Sequence, residues 1–299
     1  MKELIRFALD RMPYVRGLRQ LARSAGSFTP GHFYSPIPTS AEVAARLASM
    51  ARPGSAVPGV DLNTSGQFEV LQAYQAFYDE LPFPEEKSPD FRYYFRQTVF
   101  CYADAIFLYS FLRHAQPRRI IEVGSGFSSA VMLDTVERFF TRPPSITFVE
   151  PYPINLRQLL KPADYSHITL IEDRVQNVPI DTFTALQAGD LLFIDSSHVV
   201  KCGSDLQFLF FEVLPHLPVG VFVHFHDVFD GFEYPAEWLR KGWYWNEDYM
   251  LRSFLSYNDA WRIHLFGNYA VRAFETYLAD KMPLCLKNPG GSLYLQRTA

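Results

Sequence analysis

The stretch RRIIEVGSGFSSAVMLDTV, residues 118–136, decides the fold class of this chain. It contains a β-branched run, a glycine turn at residues 124–126 and a segment that opens like a helix at Ser128. A strand, a tight turn and a helix N-terminus in this order present free backbone N–H groups, and glycine lets a ligand approach the backbone closely. Glu122 lies at the strand end, where a carboxylate favours a cationic ligand.

Strand and helix patterns alternate from residue 118 onward. The predicted strands are residues 119–123, 146–150, 168–171, 190–194 and 220–225, and the predicted helices between them are residues 128–140, 155–161 and 204–214. Upstream, helices are predicted over residues 1–25, from Ser40, over 67–80 and over 91–115. Such alternation is typical of a parallel sheet whose ligands bind at the carboxyl ends of the strands.

The expected fold class is therefore α/β, with a doubly wound, Rossmann-like, mostly parallel sheet that has helices on both faces. Residues 1–90 are predicted to form a helical and loop-containing N-terminal extension, and residues 91–299 the main domain. The aromatic-rich segment 230–260 is predicted to be a C-terminal lid-like insertion that could shape an acceptor pocket. The alternative is that its aromatic side chains only fill the core.

Acidic residues stand at or just after the ends of all five predicted strands: Glu122, Glu150, Asp173, Asp195 and Asp227. Because parallel strands end at one edge of a sheet, these carboxylates are predicted to meet around one site. Two histidines lie beside them, since His198 follows Asp195 by three positions and His226 directly precedes Asp227. A generic strand-turn-helix unit does not explain acids at successive strand ends.

Composition excludes several classes of protein. The 299 residues carry a formal net charge of -4 and are 48% hydrophobic, which is typical of a globular protein and unlike the basic nucleic-acid binders. The three cysteines are scattered, so neither a disulfide framework nor a Cys-based zinc site is expected. The basic, amphipathic N-terminus has no uninterrupted apolar stretch, so neither a secretory signal nor a membrane span is expected. The prediction is a cytoplasmic protein without a nucleic-acid partner, and a homo-oligomer is compatible with it.

Four motifs together resemble the class I S-adenosylmethionine-dependent methyltransferases: EVGSGFSS, FVE, DLLFIDSSH and GVFVHFHD. The resemblance covers residues 90–270 and is best over 118–227. It is closer to a bacterial small-molecule branch in which an IDxxH strand end precedes a strand end with HD, and some relatives of that branch are metal-dependent O-methyltransferases. The resemblance implies S-adenosylmethionine as the cofactor and a small-molecule methyl acceptor, with a hydroxyl oxygen as the expected site of transfer.

The resemblance also implies roles for the residues at the strand ends. Glu122 and the glycine turn would hold the methionine part of the cofactor, Glu150 would accept hydrogen bonds from the ribose hydroxyls, and Asp173 would lie near the adenine. Asp195 would face the methyl group or a metal. The implied cofactor-binding residues are Glu122, Gly124, Ser125, Gly126, Glu150, Asp173 and Asp195.

The candidate catalytic residues are Asp195, His198, His226 and Asp227. An imidazole, with an ordinary pKa of about 6.5, is suited to take a proton from a hydroxyl acceptor. Asp195, His226 and Asp227 could instead chelate Mg²⁺ or Mn²⁺. The alternative for both histidines is that they bond to the backbone and order the loops.

Two other functions stay open at the level of sequence. An NAD(P)-dependent oxidoreductase also uses a glycine turn after a strand, although such enzymes prefer G-x-G-x-x-G and Ser129 occupies the third glycine position here. A cofactor-binding protein that has lost turnover is the non-enzymatic alternative. Acids at every expected strand end favour an enzyme.

Overall fold

The computed structural model describes residues 12–15, 17, 26–50 and 56–299. The helix predicted over residues 1–25 therefore lies almost entirely outside the described residues. By its internal contacts the chain divides into a smaller unit, residues 1–50 with 235–244, and a larger unit, residues 51–234 with 245–299. The predicted domain boundary after residue 90 stays a prediction.

Strands and helices alternate through the larger unit. The strands are β1 (Arg119–Val123), β2 (Ser145–Val149), β3 (Ile168–Ile171), β4 (Leu191–Ile194), β5 (Phe222–Phe225), β6 (Trp261–Phe266) and β7 (Leu293–Arg297). The helices of the whole described chain are α1 (Ser40–Ser49), α2 (Thr64–Gln75), α3 (Tyr102–Ala115), α4 (Phe127–Phe139), α5 (Ile154–Leu159), α6 (Ile180–Thr184), α7 (Asp205–Phe208), α8 (Ala236–Arg240), α9 (Glu247–Leu255), α10 (Gly267–Ala273) and α11 (Glu275–Lys281). Within the described ranges, no helix is both long and apolar enough to cross a bilayer.

The seven strands form one sheet in the order β3-β2-β1-β4-β5-β7-β6. Strands β1 to β5 pair in parallel, and β7 pairs antiparallel with both β5 and β6. The predicted mostly parallel α/β sheet is confirmed, with the five predicted strands in place to within two residues. The antiparallel edge, β6 and β7, was not predicted because its strands do not follow the strand-helix rhythm of the preceding chain.

Side chains from alternate positions of each central strand enter two separate cores. In β1, Ile120 packs with buried residues of α3 and α4, whereas Ile121 packs on the opposite face with Leu206 and Leu251. Successive side chains of a strand point to opposite faces, so a strand that is apolar on both must be covered on both. The predicted helices on both faces are therefore confirmed.

The segment before α3 is not the helix that its aromatic spacing predicts. Helix α3 begins at Tyr102 instead of residue 91. The backbone N–H groups of Arg92 and Tyr93 donate to the Asp134 carboxylate of α4, at 2.9 Å each. The buried Arg92 guanidinium also pairs with Asp134 and Asp164. This ion cluster fixes residues 92 and 93 against α4 and α3 begins ten residues later; it forms between distant segments, so sequence periodicity does not reveal it.

The smaller unit contains α1 and α8. A capping box begins α1: the Thr39 hydroxyl accepts from the Glu42 N–H at 3.2 Å, and the Glu42 carboxylate accepts from the Thr39 N–H at 2.7 Å. Helix α1 contacts α8, which belongs to the aromatic-rich segment. The lid role predicted for that segment stays a prediction.

Candidate functional site

The turn after β1 packs directly on the end of β4. Gly124 has φ +82°, and a Cβ at this position would lie 1.7 Å from the carbonyl oxygen of Asp195. The Gly124 N–H donates to Val149 of β2 at 3.0 Å, and the Asp195 N–H donates to Val123 of β1 at 2.9 Å. Only glycine permits both this backbone conformation and this approach. The ends of β1, β2 and β4 are thereby held together.

Glu122 lies beneath this turn. Its carboxylate is fully buried and accepts hydrogen bonds from the hydroxyls of Ser128, at 2.5 Å, and Ser129 at the start of α4. Burial raises the pKa of the Glu122 carboxyl to about 8, although the two hydroxyls oppose this. Glu122 lines neither of the two cavities at the strand ends. The structure therefore places it as a support for the helix start.

Glu150, just past β2, lines both cavities. The first has a volume of about 490 Å³ and the second about 390 Å³, and Gly124 and Asp195 also line both. One Glu150 oxygen accepts from the Ser125 N–H at 3.1 Å, and the other accepts from the Tyr152 N–H at 2.8 Å. These two bonds fix the carboxylate at the border between the cavities and leave lone pairs free for a ligand.

Asp173 lies at the protein surface just past β3. It is exposed, and its carboxylate accepts from the Arg174 N–H at 2.7 Å and from the Asn177 side chain at 2.8 Å. The three residues that follow it, 174–176, line the first cavity, whereas Asp173 itself does not. The loop after β3 therefore lines the first cavity with residues 174–176 and not with Asp173.

The four candidate catalytic residues do come together. His198 Nε2 lies 3.5 Å from an Asp195 oxygen and 3.7 Å from an Asp227 oxygen. His226 Nδ1 lies 3.4 Å from the other Asp195 oxygen and 3.7 Å from the other Asp227 oxygen. Both rings are buried, and the two aspartates are partly exposed. The carboxyl ends of β4 and β5 therefore hold two imidazoles that face the same two carboxylates.

Opposite charges in this network stabilise one another and so offset the free-energy cost of burying them. Although burial acts in the other direction, the two imidazoliums hold the pKa of Asp195 well below its usual range. Burial also disfavours a charged His198, but hydrogen bonds with Asp195 and Glu247 raise its pKa to about 10. The charges of Asp195 and Asp227 likewise raise the pKa of His226 well above its usual value, against the effect of burial. These directions favour imidazolium rings beside an ionised Asp195, whereas burial raises the pKa of Asp227 against the effect of the two rings.

Two of these residues adopt a strained backbone. His198 and Asp227 both have φ +58°, in the left-handed region that side chains rarely adopt. Such conformations cost about 1–3 kcal/mol each and persist where the surroundings impose them, often at functional sites. Both strained positions contact Asp195 or the histidines beside it.

Sequence reasoning missed two further carboxylates of this network. Asp104, buried in α3, lies 3.5 Å from His226 Nε2 and accepts from the Ser292 hydroxyl at 2.5 Å. Glu247, buried at the start of α9, lies 2.8 Å from His198 Nδ1. Asp104 could have been found from the sequence, because it is an acid within the apolar run of α3. No sequence signal distinguishes Glu247 from the several other acids around it.

The predicted metal ligands are Asp195, His226 and Asp227. Among the residues that the structure describes, no group of three or more His, Cys, Asp or Glu side chains is arranged to hold a metal ion. The predicted metal role of these three residues stays a prediction.

Comparison with known protein families agrees with this geometry. The sequence model described as a methyltransferase domain matches residues 121–228, which run from β1 to just past β5 and include all four candidate catalytic residues. The chain belongs to the S-adenosylmethionine-dependent methyltransferases. It is an enzyme, its cofactor is S-adenosylmethionine, and the oxidoreductase alternative is thereby excluded.

Relatives of this methyltransferase are found among sequences and solved structures. An uncharacterised protein of Archaeoglobus fulgidus is 36% identical over 165 residues, which cover 54% of this chain and 74% of that protein. The O-methyltransferase TomG from Streptomyces achromogenes, in complex with S-adenosylmethionine, is 16% identical with a TM-score of 0.35, covering 80% of this chain and 92% of that chain. The methyltransferase PaMTH1 of Podospora anserina, bound to S-adenosylhomocysteine, is 14% identical with a TM-score of 0.35, covering 88% and 98% respectively.

The residues around the two cavities suit this cofactor chemically. Ribose hydroxyls can donate to the remaining lone pairs of Glu150, and the ionised Asp195 suits a sulfonium and an ammonium. A Cβ added at Gly126 would meet no atom within 4 Å, so the turn leaves open space beside the second cavity, which Gly126 lines. The cavity volumes lie in the range of small-molecule sites.

Glu122 predicts a specific pH dependence of stability. A carboxyl whose pKa rises from 4.5 in the unfolded chain to about 8 in the folded protein favours folding below the lower value, and this contribution is lost as pH rises through the higher one. We therefore expect that, relative to wild type, the free energy of unfolding of Glu122→Gln increases between pH 5 and 9, on the order of 3 kcal/mol.

Urea denaturation at pH 5, 7 and 9 measures this difference. Glu172→Gln is the matched control, because Glu172 is an exposed acid that pairs with Arg157 at the surface. A constant difference between wild type and Glu122→Gln across the three pH values would show that Glu122 is ionised in the folded protein.

Proposed function

We propose that this methyltransferase moves the methyl group of S-adenosylmethionine to a hydroxyl oxygen of a small molecule. One observation carries the proposal: Asp195 lines both cavities at the strand ends and also contacts His198 and His226. A group that can take a proton therefore lies beside the place where the cofactor is expected to bind. The predicted cytoplasmic location and the lack of a nucleic-acid partner remain predictions.

Several residues would bind and orient the cofactor. Glu150 would accept from the ribose hydroxyls, while the open turn at Gly126 and the Asp195 carboxylate would face the methionine part. Glu122 would act indirectly, since its contacts with the two serines fix the start of α4 under the turn. When bound, the cofactor supplies an activated methyl group that an aligned nucleophile displaces.

The Asp–His network would remove the acceptor's proton. Beside these carboxylates both histidine rings favour the imidazolium form. Only a neutral imidazole can accept a proton, so a ring must first lose one. A cation bound beside Asp195 disfavours a second cation there, so cofactor binding would lower the pKa of both histidines. A neutral imidazole that can accept the acceptor's proton would therefore form when S-adenosylmethionine is bound.

The network favours oxygen over nitrogen as the acceptor atom. A neutral amine attacks a methyl group without prior loss of a proton, whereas an alcohol or phenol gains strongly from a positioned base. Burying two histidines between carboxylates costs free energy. A need to remove a proton from the acceptor would explain this cost, and a neutral amine acceptor has no such need before it attacks.

An acceptor panel tests the proposed function. Purified enzyme with methyl-labelled S-adenosylmethionine is given sets of aromatic and sugar compounds that differ only in carrying a hydroxyl, an amine or a thiol. We expect labelled O-methyl ethers, identified by mass spectrometry, and a rate for each hydroxyl compound at least about tenfold above its amine analogue. Faster methylation of the amine members would overturn the hydroxyl assignment.

The Glu150→Ala variant tests the cofactor site. Loss of hydrogen bonds to a charged acceptor costs about 1.5–3 kcal/mol, so the Kd for S-adenosylhomocysteine should rise roughly tenfold to a hundredfold. Calorimetry measures the change, with thermal unfolding as a check of folding. Glu172→Ala removes an acid that lines neither cavity and should leave the Kd unchanged. Equal affinities of the two variants would exclude the ribose role of Glu150.

The His226→Ala variant tests proton removal. We expect nearly unchanged affinity for S-adenosylmethionine and a fall in kcat of about 10²–10⁴, because the variant removes one of the two imidazoles of the network that would handle the acceptor's proton. His224→Phe is the matched control in β5, the strand that ends just before His226, because His224 is buried and stacked on Phe193 at 3.8 Å. If calorimetry instead shows lost cofactor binding in His226→Ala, the residue is structural.

A further inference from the structure

Glu247 is the nearest ionic partner of His198. The two side chains are 49 residues apart in sequence and join the loop after β4 to the start of α9, and the Glu247 oxygen lies 2.8 Å from His198 Nδ1. The Glu247 side chain is 2% exposed. Its second oxygen is buried and has no hydrogen-bond partner among the described residues. A buried carboxylate that is left half-satisfied is costly, and a functional reason is a common explanation.

The backbone holds this contact in place. The N–H groups of Asn246 and Glu247 both donate to the carbonyl of His198, at 3.2 and 3.3 Å. The Asn246 side chain accepts from the Val200 N–H at 2.6 Å and donates to the Val200 carbonyl at 3.1 Å. Four hydrogen bonds therefore tie the start of α9 to the loop that carries His198, and Glu247 stands at a defined position beside the ring.

The His198 ring is also held from one face. Its centroid lies 4.4 Å from that of Trp245, with an interplanar angle of 30°. The strained backbone at His198, φ +58°, sets the direction in which the side chain leaves the loop. This tilted ring contact restricts the plane of the His198 ring, but it does not distinguish the two ring nitrogens. That distinction comes from Glu247.

A carboxylate can only accept a hydrogen bond, so the proton of this contact belongs to Nδ1 of His198. The other ring nitrogen, Nε2, then faces Asp195 at 3.5 Å and Asp227 at 3.7 Å. In a neutral ring with its proton on Nδ1, the lone pair lies on Nε2 and points to the ends of β4 and β5. The carboxylate–histidine pairs of hydrolases orient their imidazole in the same way.

We propose that Glu247 is the positioning residue of His198, because it selects the ring orientation and tautomer in which Nε2 faces the methyl-transfer site. This inference rests on the proposed function, since it assigns the acceptor's proton to His198 Nε2. Glu247 lines neither cavity, so it would touch neither cofactor nor acceptor.

Two variants of Glu247 and one control variant separate positioning from support of the fold. Glu247→Leu removes the acceptor, while Glu247→Gln keeps an oxygen that can accept from Nδ1–H and therefore keeps part of the function. Asp248→Asn is the matched control, because Asp248 is equally buried in the same helical turn and accepts from the Phe229 N–H instead of from His198. The hydroxyl compound turned over fastest in the acceptor panel serves as substrate.

We expect Glu247→Leu to lower kcat about a hundredfold, with KM and the Kd for S-adenosylmethionine changed by less than about twofold. Glu247→Gln should lie between this variant and wild type, and Asp248→Asn should keep wild-type kcat. With ¹⁵N-labelled histidine and bound S-adenosylmethionine, the neutral His198 ring should carry its proton on Nδ1 in wild type and on Nε2 in Glu247→Leu. The double variant with His198→Ala should be no slower than His198→Ala alone.

Each contrary result has a distinct meaning. Wild-type kcat or an unchanged ¹⁵N spectrum in Glu247→Leu would overturn the positioning role and leave the proposed function intact, provided that His198→Ala is slow. Equal loss of cofactor affinity and kcat would assign Glu247 to the fold instead. Wild-type kcat in His198→Ala would overturn both the role of His198 in the proposed function and the inference built on it. If Glu247→Leu does not fold, Glu247→Gln and the ¹⁵N spectrum decide.

Discussion

The approach of Gly124 to the Asp195 carbonyl is the constraint on which the site depends. A methyl group at Gly124 would occupy the position of that oxygen, so the turn after β1 and the end of β4 can be this close only with glycine. This contact sets Asp195 at the border of both cavities and beside the two histidines. Glu122 stabilises the same turn from below through the serines of α4. One backbone contact thus joins the cofactor cavities to the proton-handling network.

The second feature of the site is a balance of buried charge. Two imidazoles and two aspartates face one another at 3.4–3.7 Å, and Asp104 and Glu247 add a carboxylate behind each ring. Burial makes each isolated charge costly, so the network is stable only as a set of opposite charges. The entry of another cation shifts this balance, because it competes with the imidazoliums for the same carboxylates. In the proposed function, electrostatics would therefore link cofactor binding to the protonation of the two histidines.

Sequence patterns predicted much of the fold but less of the site. Strand-helix alternation predicted the five parallel strands, and acids at strand ends predicted that Glu150, Asp195 and Asp227 lie at one edge of the sheet. The same rule does not tell which side chains line a cavity: residues 174–176 line the first cavity and Asp173 does not. Glu122 is buried against the serines at the start of α4. The cofactor-binding roles of Asp173 and Glu122 stay predictions. Periodicity resolves the strand to which a residue belongs, but not the direction of its side chain at the strand end.

By itself, the sequence determined the class of sheet, the glycine turn and the residue types at the strand ends, since all of these depend on local pattern and on the covalent order of the chain. Only the tertiary structure decided which carboxylates stand behind His198 and His226, because Glu247 and Asp104 approach them from segments about 50 and 120 residues away. The antiparallel edge strands and the ion cluster of Arg92 were decided in the same way. Each of these contacts depends on how distant segments pack, and no local periodicity encodes that packing.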